Sequence, residues 1–184
     1  MAVTPDGKAF VFVTVGTDHH PFDRLVRWID AWLEGEAREA VRCFVQRGTS
    51  SRPARAESSD FLDYEALRTA MHEADAVVCH GGPGTILLAA EAGKLPIVVP
   101  RLRALGEHVD DHQLIFARRM AQEGALALAE NEERFRALLD RALAAPETHA
   151  AVRSSGTAEA VRRFEEIVGE LMVREEGRLA ELAG

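Results

Sequence analysis

Cysteine is almost missing from this sequence: 184 residues hold only Cys43 and Cys79. Both stand in apolar runs, where a thiol behaves as a small hydrophobe, and two of them cannot supply a four-ligand zinc site. They read as reduced core residues of a cytosolic protein. Aromatic residues are scarce too, at 6% against 47% hydrophobic overall, so the core must be built mainly from Val, Leu, Ile and Ala. That suits one compact domain. No apolar stretch approaches the ~20 residues of a membrane-spanning helix. The start, MAVTPDGKAF, has no basic segment leading into an apolar one, so no secretory leader is expected and membrane contact should be peripheral or borrowed. Positive charge is in deficit: 22 Lys and Arg face 30 Asp and Glu, a net charge of -8, and the arginines are dispersed. A phosphate backbone would be repelled, which excludes nucleic acid as the main partner. Internal repeats and long low-complexity segments are also lacking.

What is present centres on residues 76–100, AVVCHGGPGTILLAAEAGKLPIVVP. An apolar run from Ala76 to Cys79 stops at His80-Gly81-Gly82-Pro83-Gly84-Thr85, a helix-length segment follows, and Ile97-Val98-Val99 ends at Pro100. This is strand, glycine loop, helix, strand. Glycines leave backbone N–H groups uncovered, and the positive end of the helix dipole favours an anion in the loop, a phosphate above all. Glycines alone are also explained by a tight turn and close helix packing. His80 adds chemistry, because ligands of open α/β sheets sit beyond the carboxyl ends of strands.

In chain order, Ala9–Val15 reads as a buried strand, and Phe22, Leu25, Val26, Ile29, Trp32 and Leu33 share one face of a helix. Val41–Gln46 is a second strand. The polar loop from Arg47 to Ser59 is the expected mobile segment, Phe61 and Leu62 suggest a short third strand, and Tyr64–Ala74 a helix. After Pro100, a helix carrying Leu114, Ile115 and Phe116 ends at Gly124, Ala125–Ala129 is a last strand, and Asn131 caps a helix through Leu143. Residues 1–156 then form one doubly wound, Rossmann-like α/β domain with a parallel sheet. From Thr157, Val161, Phe164, Val168, Leu171 and Met172 give residues 157–184 an amphipathic helix and a charged tail.

Two more polar clusters fall at strand ends. Gly16-Thr17, followed by Asp18-His19-His20, comes after the first strand and borders the switch point beside the strand ending at Cys79. Glu107-His108-Val109-Asp110-Asp111-His112-Gln113 comes after the strand ending at Val99. His108 and His112 stand four apart and would share a helix face, so a metal-dependent hydrolase is one alternative, although no third ligand is evident.

Taken together, Val13–Thr17 (VTVGT), H-G-G-x-G-T from His80 and D-H-Q from Asp111 resemble the nucleotide-sugar-binding, C-terminal half of GT-B glycosyltransferases. The likeness is to MurG-like enzymes and to the separate catalytic subunit of split UDP-GlcNAc and polysaccharide transferases. It implies a chain forming half of a GT-B fold. By that resemblance His80, Gly81, Gly82, Gly84 and Thr85 hold the diphosphate with Gly16 and Thr17 lining the cleft, and Asp111, His112 and Gln113 meet the sugar. Many relatives carry an acid for the ribose where this chain has Leu88; Glu91, one turn on, is the candidate substitute. The implied donor is a UDP-sugar, with no metal and no further cofactor. The implied partner is a membrane-associated acceptor-binding subunit, which would hold this cytoplasmic chain at the membrane periphery. A homo-oligomer of the isolated chain is the further expectation. The general base would come from the other half, with His19 or His20 as the fallback. A non-catalytic nucleotide-sugar-binding module is the remaining alternative, and Leu88 is its best support.

Overall fold

The computed structural model describes residues 7–35 and 37–145. The C-terminal helix expected from Thr157 and the boundary at residue 156 lie outside them. Six parallel strands form one sheet: β1 (Ala9–Thr14), β2 (Val41–Gln46), β3 (Glu57–Ser59), β4 (Ala76–Cys79), β5 (Ile97–Val98) and β6 (Ala127–Leu128). Their spatial order is β3-β2-β1-β4-β5-β6. The order reverses between β1 and β4, so a crevice opens there beyond the strands' carboxyl ends.

Successive side chains of a strand point to opposite faces, and β1 shows what each face buries. Val11, Val13 and Val15 pack with Leu25, Ile29, Phe135 and Leu139, from α1 (Asp23–Leu33) and α6 (Glu132–Ala144). Phe10 and Phe12 pack on the other side with Met71, Leu88 and Ala89, from α3 (Tyr64–Glu73) and α4 (Pro83–Glu91). A third cluster joins Cys79, Ile86 and Val98 to Phe116 and Met120 of α5 (His112–Gln122). The sheet is therefore covered on both faces, as its nearly continuous apolar strands require. Cys43 and Cys79 are buried free thiols, and burial pushes both up to about 12.

Register sets the site. Thr14 is level with Gln46 on one side and Cys79 on the other, and Cys79 is level with Val98. Four strands thus end on one line, and the loops after them emerge at one edge.

Three local expectations are corrected. The third strand is Glu57–Ser59, beside Phe44–Gln46, and Phe61 is exposed instead. An edge strand with a single neighbour needs no apolar sequence, which is why periodicity missed it. A short helix, α2 (Ala37–Ala40), precedes β2 and was not anticipated. The loop after β2 is tied down: Asp23 accepts from the Ser51 amide at 2.7 Å, and Asp30 accepts from the amides of Ala54 and Arg55. Its polarity reflects bonds to α1.

Candidate active site at the switch point

The glycine loop is built around the ring of His80. A Cβ at Gly16 would lie 2.4 Å from the imidazole, and one at Gly82 would lie 2.3 Å from its Nε2. Gly16 also has φ +80°, a left-handed conformation that a side chain would strain. Gly81 approaches a different neighbour, with a Cβ site 2.8 Å from Cβ of Gln113. Close packing thus explains Gly81 and Gly82 of this loop, and Gly16 of the loop after β1. Gly84 differs, since nothing lies within 4 Å of its Cβ position. It belongs to the first turn of α4, which no side chain caps. Leading amides of a helix have no intrahelical acceptor, so those of Gly84 and Thr85 are available to an anion.

His80 is buried, and its Nδ1 has no hydrogen-bond partner among the described residues. Burial and then the nearby Arg101 charge push its pKa down to about 4, so it is neutral at physiological pH. An uncharged imidazole with an unpartnered Nδ1 thus stands beside an uncapped helix start.

Arg101 is the residue that sequence reasoning passed over. It follows β5 and is 0% exposed. Nη1 donates to the carbonyls of His20 at 2.7 Å and Glu107 at 2.9 Å, and Nη2 donates to that of Val15 at 2.9 Å. One guanidinium therefore ties the loop after β1 to the loop after β5. Burial lowers the Arg101 pKa, with Asp18 and Glu107 opposing that effect. A parallel tie joins α1 to the same loop: Arg24 forks onto both carboxylate oxygens of buried Glu107 at 2.8 Å each. Gln46 braces the other flank. Its Oε1 accepts from Thr14 Oγ1, and its Nε2 donates to the carbonyl of Gly16 at 3.0 Å. The available signal was polar residues at or just past the ends of apolar strands: Thr14 and Gln46 on one level, and Arg101 beyond Val98.

Histidines and carboxylates alternate along the crevice. Asp18 Oδ1 meets Nδ1 of His20 at 2.6 Å and Oδ2 faces Nε2 of His108 at 3.6 Å. Asp110 receives His108 Nδ1 at 3.1 Å and His112 Nδ1 at 2.7 Å on its two oxygens. Burial pushes the Asp18 carboxyl up, but the His20 amide and ring and the Arg101 charge outweigh it and leave it below its ordinary value. Burial likewise opposes the lowering of Asp110 by the amide and ring of His112.

A profile described as the glycosyltransferase family 28 C-terminal domain matches residues 10–168. The chain belongs to this family. No curated protein sequence matches it. Among solved structures it is similar to a glycotransferase of kitacinnamycin (TM-score 0.64, 18% identity, covering 94% of this chain and 44% of that one). MurG of Acinetobacter baumannii is similar as well (TM-score 0.57, 21% identity, covering 90% and 52%). So is spinosyn rhamnosyltransferase SpnG complexed with thymidine diphosphate (TM-score 0.51, 19% identity, covering 92% and 45%). The family 28 chain spans about half the length of these structures, and the likeness establishes half of a GT-B fold.

Within this family 28 domain, Gly16, Thr17, His80, Gly81, Gly82, Gly84 and Thr85 do meet at the switch point, as the strand register dictates. His112 and Asp111 lie on the same rim, both exposed, with Asp111 Oδ1 accepting from the Arg103 amide at 3.2 Å. Gln113 is turned inward: its Oε1 accepts from the amides of Gly81 at 3.2 Å and Arg101 at 3.4 Å. It is first of all a brace for the loop. Gln113→Ala should therefore lower stability by about 1–3 kcal/mol in urea unfolding and weaken nucleoside diphosphate binding as well. Unchanged stability would show that the brace is dispensable.

Glu91 is not brought to the loop. It is exposed at the end of α4, roughly 10 Å along the axis from Gly84 at the usual rise per residue. Leu88 is buried against Phe10, Phe12 and Met71. The shared-face pairing of His108 and His112 is also corrected, because α5 begins at His112 and His108 precedes it. Their Nδ1 atoms turn to opposite oxygens of the one Asp110 carboxylate. Asp18, His19 and His20 do bring three donor atoms within 4.8 Å of one another, but Asp18 already serves His20 and His108. Among the described residues no helix is long and apolar enough to cross a membrane.

Proposed function

We propose that this chain is the donor-binding half of a glycosyltransferase that uses a UDP-sugar and transfers a hexosyl or N-acetylhexosaminyl unit to a lipid-linked or polysaccharide acceptor. The acceptor site would belong to a membrane-associated partner subunit, which holds the chain at the cytoplasmic membrane face. The observation that carries the reading is the uncapped start of α4, open above Gly84 and backed by His80. A diphosphate leaving group gains charge as the glycosidic bond breaks, and amides, helix dipole and imidazole oriented in advance stabilise that charge. His112 and Asp111 on the rim are assigned to the sugar. The ribose is assigned to backbone groups, since Leu88 offers no acceptor.

His80 gives the test a pH signature. Its folded pKa of about 4 lies below the usual 6.5, so between those values the unfolded chain binds a proton that the folded chain does not. His80 thus contributes stability above pH 6.5 that is lost as pH falls toward 4. A bound diphosphate reverses the balance by favouring the imidazolium. UDP-GlcNAc, whose diphosphate does not titrate in this range, should bind on the order of tenfold more tightly at pH 5.5 than at pH 7.5. Calorimetry in buffers of different ionisation enthalpy should register proton uptake. No heat with UDP-GlcNAc, UDP or TDP at millimolar concentrations would remove the reading; binding without proton uptake would remove His80 from it.

A further inference from the structure

The loop after β1 holds a histidine whose geometry the donor reading does not use. Asp18 grips His20 twice, accepting from its backbone amide at 2.7 Å and meeting its Nδ1 at 2.6 Å. The next backbone group is also fixed, because Arg101 donates to the His20 carbonyl at 2.7 Å. The ring lies against that of His19, with centroids 4.0 Å apart. Asp18 is itself steadied by His108 on its other oxygen. A carboxylate on Nδ1 selects the tautomer with the proton on Nδ1 and leaves the lone pair on Nε2. Nε2 of His20 has no partner among the described residues, and the side chain is about one-quarter exposed. His19 lacks these features: it is 82% exposed, and its ring nitrogen is 3.9 Å from Asp18.

Resting on the donor-site reading above, we infer that His20 is a general base carried by this chain, with Asp18 as its positioning residue. The base then need not come from the acceptor half. In transfer, His20 Nε2 takes the proton of the acceptor hydroxyl as that oxygen bonds to the anomeric carbon. The bond from that carbon to the diphosphate oxygen breaks, and its electron pair leaves with the diphosphate. Water in place of the acceptor gives the same balance: UDP and free sugar form, and the proton passes through His20 to solvent. The isolated chain is therefore a slow UDP-sugar hydrolase.

The experiment incubates the purified full chain with UDP-GlcNAc and follows UDP release, with UDP affinity measured in parallel. Wild type should release UDP. His20→Ala should lose at least about 100-fold in rate, the usual contribution of a positioned base, at unchanged UDP affinity. Added imidazole should restore part of that rate, which a merely structural role for the ring would not allow. Wild type that binds UDP but releases none from UDP-GlcNAc overturns the inference and leaves the donor reading standing. So does a His20→Ala protein that hydrolyses at the wild-type rate, or one whose lost rate imidazole does not restore. Wild type that binds no UDP overturns both.

Discussion

Replacing Arg101 with leucine should cost this domain roughly 3–5 kcal/mol, since each buried acceptor left without a donor costs about 1–3 kcal/mol. The side chain is fully buried and satisfies three carbonyls on two loops, Val15, His20 and Glu107. Leucine fills part of the space against Phe22, whose ring lies 4.8 Å from the guanidinium carbon, but leaves those oxygens without a donor. Removing the donor alone costs more than replacing both partners would, because the acceptors stay buried. For a domain whose whole stability is on the order of 5–15 kcal/mol, that is about a fifth of the total or more. Urea unfolding of Arg101→Leu measures it directly. A midpoint matching the wild type would show that the loops hold without the guanidinium.

Gly16→Ala should be nearly as damaging, for two separable reasons. The left-handed backbone at φ +80° penalises any Cβ, by about 1–2 kcal/mol. The new methyl would also sit 2.4 Å from the His80 ring, an overpacking worth about 1–3 kcal/mol more. The expected loss is about 2–5 kcal/mol in unfolding free energy, together with loss of nucleoside diphosphate binding in whatever fraction folds. His80 can yield only by leaving the space between Gly16 and Gly82. An alanine variant within 1 kcal/mol of wild type, on the scale of these penalties, would show that the ring has another place to go.

The fold was legible in the sequence because its strongest signals are local. Val11, Val13 and Val15 make an apolar run that ends in glycine, and Leu25, Ile29 and Leu33 repeat at helical spacing; the corresponding elements are β1 and α1. Asn131 caps α6 as its position suggested, accepting from the Arg134 amide at 2.8 Å. The glycine loop was legible as a loop, although its glycines answer mainly to the bulk of His80 and Gln113. The clamps were not legible. Arg101 and Val15 are 86 residues apart, and Arg24 and Glu107 are 83 apart. A charged residue reads as solvent-facing until the fold shows what surrounds it. His108 illustrates a related point: four-residue spacing implies a shared helix face only once the helix exists, and this one starts at His112.

The two thiols give the molecule an internal clock. Burial pushes both thiols up to about 12, so almost none of either is thiolate at pH 7. Alkylation of the native protein must therefore wait for transient opening of the sheet. Cys79 is the last residue of β4, directly before His80, while Cys43 lies in the middle of β2. Their separate labelling rates compare how often the strand beneath the glycine loop is breached with how often its neighbour across β1 is.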